Sequence, residues 1–187
     1  EVVAVGEGVT QFRVGDEVYG LTGGVRGLQG SLAEFIAADA DLLAIKPRNL
    51  SMREAAALPL TFLTAWSGLV DNANVQAGQH VLVAATGCMA DRGLITTLGA
   101  FPLDYTKVST QDIIEQCTDG EGFDIVYDTV GGPVLDASLS MTRYYGHITS
   151  CAAFGDHNLA TSSLRCATLS GVFILLPMLT GERRAHH

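Results

Sequence analysis

Apolar positions fall into two regimes along this chain. From Glu1 to Pro47 they come as short runs, Val2 to Val5, Val14 to Tyr19, Ser31 to Ala38 and Leu42 to Ile45, separated by glycines and acids. That punctuation predicts a small β region. Ser51-Met-Arg-Glu54 then reads as a capping box opening a short helix through Ala57, and Pro59 suits the first turn of a second helix, Leu60 to Ala73. After the turn at Gln76-Ala-Gly78 the period changes again. Strands are expected at His80 to Val83, Pro102 to Tyr105, Phe123 to Val130, Gly146 to Cys151 and Ser170 to Leu175, with helices at Asp91 to Leu98, Thr110 to Cys117 and Pro133 to Thr142 between them. Strands alternating with helices of that length predict a parallel sheet covered on both faces. The implied division is a β region over 1–47, connecting helices over 48–78, and an α/β domain over 79–187.

Composition narrows the function classes. Eleven Lys and Arg stand against 20 Asp and Glu, a formal charge of −9, which argues against a nucleic-acid partner. Apolar residues at 48% and charged ones at 17% describe a chain with a buried core rather than a disordered one. The most apolar run, Gly171 to Leu179, is far short of the roughly 20 residues a membrane helix needs, and no secretion signal opens the sequence, so a cytoplasmic protein is expected. Cys88, Cys117, Cys151 and Cys166 lie too far apart for a metal knuckle, and the five histidines form no metal-ligand motif. No G-x-S-x-G elbow presents a nucleophile.

Ligands of such a sheet bind beyond the carboxyl ends of its strands. Two segments there are rich in small residues: Asp128-Thr-Val-Gly-Gly132 and Ser150-Cys-Ala-Ala-Phe-Gly155. The plain reading of the first is a strand-to-helix turn, which composition alone favours, and that of the second is simple tight packing. G-x-G-x-x-G is absent, and Gly23-Gly-Val-Arg-Gly27 sits among β signals with no helix behind it. His147 is read as structural, since it is placed toward the start of its strand.

Seven stretches together resemble the zinc-independent quinone oxidoreductase branch of the medium-chain dehydrogenase/reductase family. They are Val14-Gly-Asp-Glu-Val-Tyr-Gly20, Gly30-Ser-Leu-Ala-Glu-Phe35, the run from Ala55 through Leu58-Pro-Leu to Trp66, Val75-Gln-Ala-Gly-Gln-His-Val-Leu-Val83, Gly99-Ala-Phe-Pro-Leu-Asp-Tyr105, the run from Gly122 to Gly132, and Tyr145-Gly-His-Ile148. The resemblance implies an α/β fold, a partial GroES-like β domain plus an incomplete Rossmann-type doubly wound parallel sheet. It also implies NADPH as cofactor, hydride transfer to a quinone or related enone, no metal, and a homodimer. By position it places Thr64 near the nicotinamide or its phosphates, and Gly87 near the adenosine ribose. Arg92 and Tyr105 fall at the 2′-phosphate, and Val130, Gly131, Cys151, Ala152, Phe173 and Ile174 around the nicotinamide pocket. No catalytic acid is implied.

The sequence also departs from that family. Where a glycine-rich loop and a full helix should follow His80-Val-Leu-Val83, Ala84-Ala-Thr-Gly87 follows at once and resembles the end of the next Rossmann strand. Amides at a helix N-terminus are the main anion site for a pyrophosphate, so dinucleotide affinity should fall. Loss of that crossover should also bare apolar sheet surface and an unpaired edge. The rival expectation is therefore a non-catalytic remnant with weak or lost nucleotide binding, acting as an interaction module. Ser170 to Leu175, apolar and uncharged, is the edge expected to pair the homodimer.

Overall fold

The computed structural model describes residues 1–85 and 92–181. The chain divides into two compact units, one of Glu1–Ala65 with the segment that begins at Phe173, the other of Trp66–Val172.

In the first unit, two short strands, β1 (Val18–Gly20) and β2 (Leu43–Ile45), pair antiparallel with Tyr19 opposite Ala44. The apolar runs at 2–5 and 31–38 do not become strands. A run becomes a strand only where a ladder satisfies its backbone. Val2 exchanges single bonds with Asp16 and Gly15, and Ala33 bonds only as far as Ser31. Lys46, only 8% exposed, ties the turn after β2: its ammonium donates to the Pro47 carbonyl at 3.2 Å and meets Glu17 at 3.2 Å.

The capping box forms. The Ser51 amide donates to Glu54 Oε2 at 2.8 Å and the Glu54 amide to Ser51 Oγ at 3.3 Å, and these bonds hold the Glu54 carboxyl below its usual range. The two helices expected beyond it are one. A single α1 (Met52–Trp66) runs straight through Pro59 and continues as a π-type turn, Ser67–Asn72. Proline costs a helix one hydrogen bond; here Ala55 and Pro59 are the helix's buried positions, and packing on that stripe outweighs the loss.

The second unit contains a four-stranded sheet, all parallel, in the order β3 (Val81–Ala84), β4 (Phe123–Asp128), β5 (Thr142–Ser150), β6 (Thr168–Gly171). Between them stand α2 (Arg92–Thr97), α3 (Thr110–Thr118), α4 (Pro133–Met141) and α5 (Ala160–Leu164); α6 (Leu176–Thr180), which follows β6 in the chain, belongs to the first unit. Alternation along the strands serves two faces. Val126 and Ile148 point to one, where Ile113 and Ile114 of α3 and Leu135 and Leu139 of α4 close the core. On the other, the π-type turn lies against the sheet, and its Gly68 approaches so closely that an added Cβ would meet the Tyr127 ring at 3.1 Å and Thr149 Oγ1 at 3.2 Å. This is the doubly wound α/β arrangement the alternating pattern predicts.

Two expected strands differ. Pro102 to Tyr105 forms no ladder, because Asp104 folds the chain back: its carboxylate accepts from the Thr106 amide at 3.1 Å and hydroxyl at 2.6 Å. The final strand is Thr168–Gly171 rather than Ser170 to Leu175. Gly171 pairs with Ser150, where β5 ends, so later residues have no partner strand beyond one bond from the Val172 amide to the Ser150 carbonyl, 2.8 Å. α3 begins one residue later than its cap: Ser109 Oγ accepts the Asp112 amide at 3.1 Å.

Two histidines of this unit give stability opposite pH slopes. His147 lies half-buried within β5, its Nε2 2.7 Å from Ser170 Oγ, and burial pushes the ring below the ordinary 6.5. The folded state therefore binds fewer protons than the unfolded chain. Its stabilisation is complete above 6.5 and is lost as pH falls from there through the depressed folded value. His157 hydrogen-bonds Asp136 Oδ1 at 2.8 Å, which raises its value, so its contribution is present below 6.5 and is lost as pH rises through the raised folded value. A His147→Gln variant is expected to flatten only the acid-side loss, in thermal melts between about pH 5 and 8. An unchanged acid limb would contradict this.

Candidate functional site

The site is assembled at the carboxyl edge of the parallel sheet, within the second unit. Asp128 is the last residue of β4 and Ser150 the last of β5, and the register sets them directly opposite each other. Both are fully buried, at 0% and 1% exposure. Ser150 Oγ donates to Asp128 Oδ2 at 2.6 Å, while Asp128 Oδ1 accepts from the amides of Val130 at 3.1 Å and Gly131 at 3.0 Å. The Ala152 amide donates back to Ser150 Oγ at 3.1 Å. Main-chain bonds run beside these: Cys151 donates to the Asp128 carbonyl at 3.1 Å, and Thr129 to the Ala84 carbonyl of β3 at 2.9 Å.

The turns after β4 and β5 thereby become one surface. Gly131, at φ 77°, lies so close to the second turn that a Cβ there would stand 2.2 Å from the Ala152 carbonyl oxygen. Over Gly132, at φ 52°, a Cβ would meet nothing within 4 Å. Glycine is required at the first position by close approach and eases the left-handed backbone at both. The result is a floor of backbone and small side chains, open to space at Gly132, which suits a flat ligand approached closely. The Cys151 and Tyr127 side chains interact with each other. Burial, with the Asp128 charge adding to it, pushes the Cys151 thiol up, and burial first and Cys151 second push the Tyr127 phenol up to about 12. Both stay protonated at neutral pH, so neither supplies a thiolate or phenolate base.

A second concavity lies along β3. This open groove of about 980 Å³ is lined by Leu82, Val83, Ala85, Leu98 and Phe101, with Arg92 from α2 and Tyr105 and Asp104 from the turn at its rim. Hydrogen bonds from Thr106 hold the Asp104 carboxyl below its usual range, and Lys107 pairs with it at 3.2 Å. Among the described residues β3 is the end strand of its sheet. Val83 is 53% exposed, and Leu98 and Phe101 stand out from the groove wall at 76% and 74%.

Of the residues the sequence nominated, the structure brings Val130, Gly131, Cys151 and Ala152 together, and it brings Arg92 and Tyr105 onto one groove. Thr64, Phe173 and Ile174 belong to the first unit. There the Thr64 hydroxyl is turned back onto the Leu60 carbonyl at 2.6 Å, Ile174 is buried and Phe173 is half exposed. Gly87 and the rest of 86–91 lie outside the described residues, as do His186 and His187. The Asp128–Ser150 pair was not nominated. β4 and β5 each end on a polar residue, but β5 also carries Thr142, Arg143, His147 and Thr149, so polarity alone does not single the pair out. Among the described residues no group of three or more His, Cys, Asp or Glu side chains is placed to hold a metal, and no helix is long and apolar enough to cross a membrane.

Comparison with known proteins adds a lineage to this geometry. The family profile described as zinc-binding dehydrogenase matches residues 76–179. A 2-methylene-furan-3-one reductase of Solanum lycopersicum is 38% identical over 160 residues, covering 70% of this chain and 39% of that protein. An NADPH-dependent alkenal/one oxidoreductase of Arabidopsis thaliana, chloroplastic, is 34% identical over 178 residues, covering 80% of this chain and 44% of that one. Among solved structures, an alcohol dehydrogenase superfamily protein from Novosphingobium aromaticivorans superposes with a TM-score of 0.93 at 49% identity, over 99% of this chain and 62% of the other. The chain thus spans less than half the length of those two curated relatives.

Proposed function

Because this chain belongs to the zinc-binding dehydrogenases of the medium-chain dehydrogenase/reductase family, we propose that it holds NADPH and serves hydride transfer to a quinone or related enone without zinc. One observation carries the reading: the fused, side-chain-poor floor of Gly131, Gly132 and Ala152 at the carboxyl edge, beside a groove whose rim bears Arg92 and Tyr105. The floor fits a planar ring, and a guanidinium and a phenol lining one groove fit a sugar phosphate, the Asp104 carboxylate of that groove being paired with Lys107. When bound, the nucleotide supplies the hydride. The chain's own part is to orient the ring on Val130, Gly131 and Ala152, to keep a dry face around it, and to hold the 2′-phosphate by Arg92. The activities for which the tomato and Arabidopsis relatives are named, a 2-methylene-furan-3-one reductase and an NADPH-dependent alkenal/one oxidoreductase, support the enone class.

A rival reading, a remnant that no longer turns over, is favoured by the missing G-x-G-x-x-G in the sequence. The two part in one assay. Loss of NADPH absorbance with 2-cyclohexenone or a benzoquinone, faster than with NADH, is the expected result. An Arg92→Ala variant should lose about tenfold of the NADPH preference while NADH rates hold. No turnover with either nucleotide would favour the remnant.

The reading includes a homodimer through β6, the end strand of the described sheet order on the side away from β3. Sedimentation equilibrium should return twice the 19.7 kDa of the chain. A monomer mass at all concentrations would contradict it.

A further inference from the structure

We infer that Asp128 and Ser150 act as a positioning clamp, setting the spacing of the two turns on which the nicotinamide ring rests; the inference builds on the NADPH reading above. The alternative is that this pair only caps the strand β4. Three observations favour the clamp. First, the bonds cross between strands: the Val130 and Gly131 amides, the latter shared between Oδ1 at 3.0 Å and Oδ2 at 3.2 Å, suffice to cap β4, but Ser150 belongs to β5, and its 2.6 Å bond to Oδ2 comes from the neighbouring strand. Second, Ser150 is used twice, donating to Asp128 and accepting from the Ala152 amide at 3.1 Å, so one carboxylate is coupled to the backbone of both turns. Third, the turns are in contact at a point with no slack, where the Gly131 position would put a Cβ 2.2 Å from the Ala152 carbonyl oxygen. A fully buried carboxylate is costly unless it is hydrogen-bonded, and here its donors come from the turn after β4 and from the end of β5. Sub-ångström spacing of the residues under a reacting ring is what a supporting shell of this kind controls.

The clamp acts through other residues and touches no reacting atom, so its test must separate ring placement from nucleotide affinity in general. The probes are NADPH and 2′-phosphoadenosine diphosphoribose, the same nucleotide without the ring, titrated calorimetrically against the full chain and its variants. Ser150→Ala cuts the cross-strand bond and leaves Asp128 on the Val130 and Gly131 amides. Asp128→Asn removes the charge and keeps an oxygen for those amides, while its amide group, now a donor, reverses the bond to Ser150 Oγ. The expected result is a loss of about tenfold in NADPH affinity for Ser150→Ala, with the ringless nucleotide unchanged within about twofold. Asp128→Asn should stay within about threefold of the parent for both. Equal losses for both ligands in Ser150→Ala, or no loss for either, would overturn the clamp. So would the reverse order of the two variants, which would make the charge, not the spacing, the working feature. If the parent chain fails to bind NADPH more tightly than the ringless nucleotide, the functional reading falls and the clamp with it. Should Ser150→Ala not fold, as thermal melting would show, Ser150→Cys, of similar size but a weak donor, is read by the same criteria.

Discussion

Asp128→Ala should lower the unfolding free energy by about 4 kcal/mol, measured by urea denaturation. The side chain is wholly buried, and its removal strands the amides of Val130 and Gly131 and the hydroxyl of Ser150 together. Each unsatisfied buried donor costs about 1 to 3 kcal/mol, and partial entry of water keeps the sum below the simple total. Asp128→Asn, which keeps an acceptor for the two amides, should cost less than half as much. Equal losses in the two variants would mean that the charge matters more than the bonds.

The second large effect is expected at Gly131. Gly131→Ala places a methyl against the Ala152 carbonyl, backbone that cannot swing aside, at a φ of 77° that alanine disfavours. Strain and overpacking together predict a loss of about 2 to 4 kcal/mol, and the floor must open, so NADPH binding should disappear in the fluorescence titration. Gly132→Ala is the control. Its φ of 52° and ψ of −133° carry backbone strain of about 1 to 3 kcal/mol, but its Cβ enters open space, so NADPH binding should survive. If both substitutions abolish binding, the close approach of the turns is not what Gly131 serves.

The parts of this structure that were legible in the sequence are those governed by local rules. The capping box at Ser51 and Glu54, the alternation of strand and helix from Val81 to Gly171, and the small-residue turns after β4 and β5 arise from residue type and period. What was not legible depends on partners distant in the chain. The apolar runs at 2–5 and 31–38 look like strands, but no ladder accepts them. Pro59 looks like a boundary, yet a buried stripe with Ala55 carries α1 across it. The last strand ends at Gly171 because β5 ends at Ser150, a register no window around Val172 contains. The site divides in the same way. Gly131 and Ala152 could be nominated from composition, whereas the Asp128–Ser150 bond exists only once β4 and β5 lie side by side.

The central claim is that this chain holds NADPH although its sequence lacks the usual glycine-rich phosphate loop. Fluorescence titration of NADPH against the purified chain, with NADH as comparator, tests it most directly. Saturable binding at least about tenfold tighter for NADPH is predicted, abolished by Gly131→Ala and weakened toward the NADH value by Arg92→Ala. Absence of saturable binding, or equal affinity for the two nucleotides in the parent chain, would contradict it.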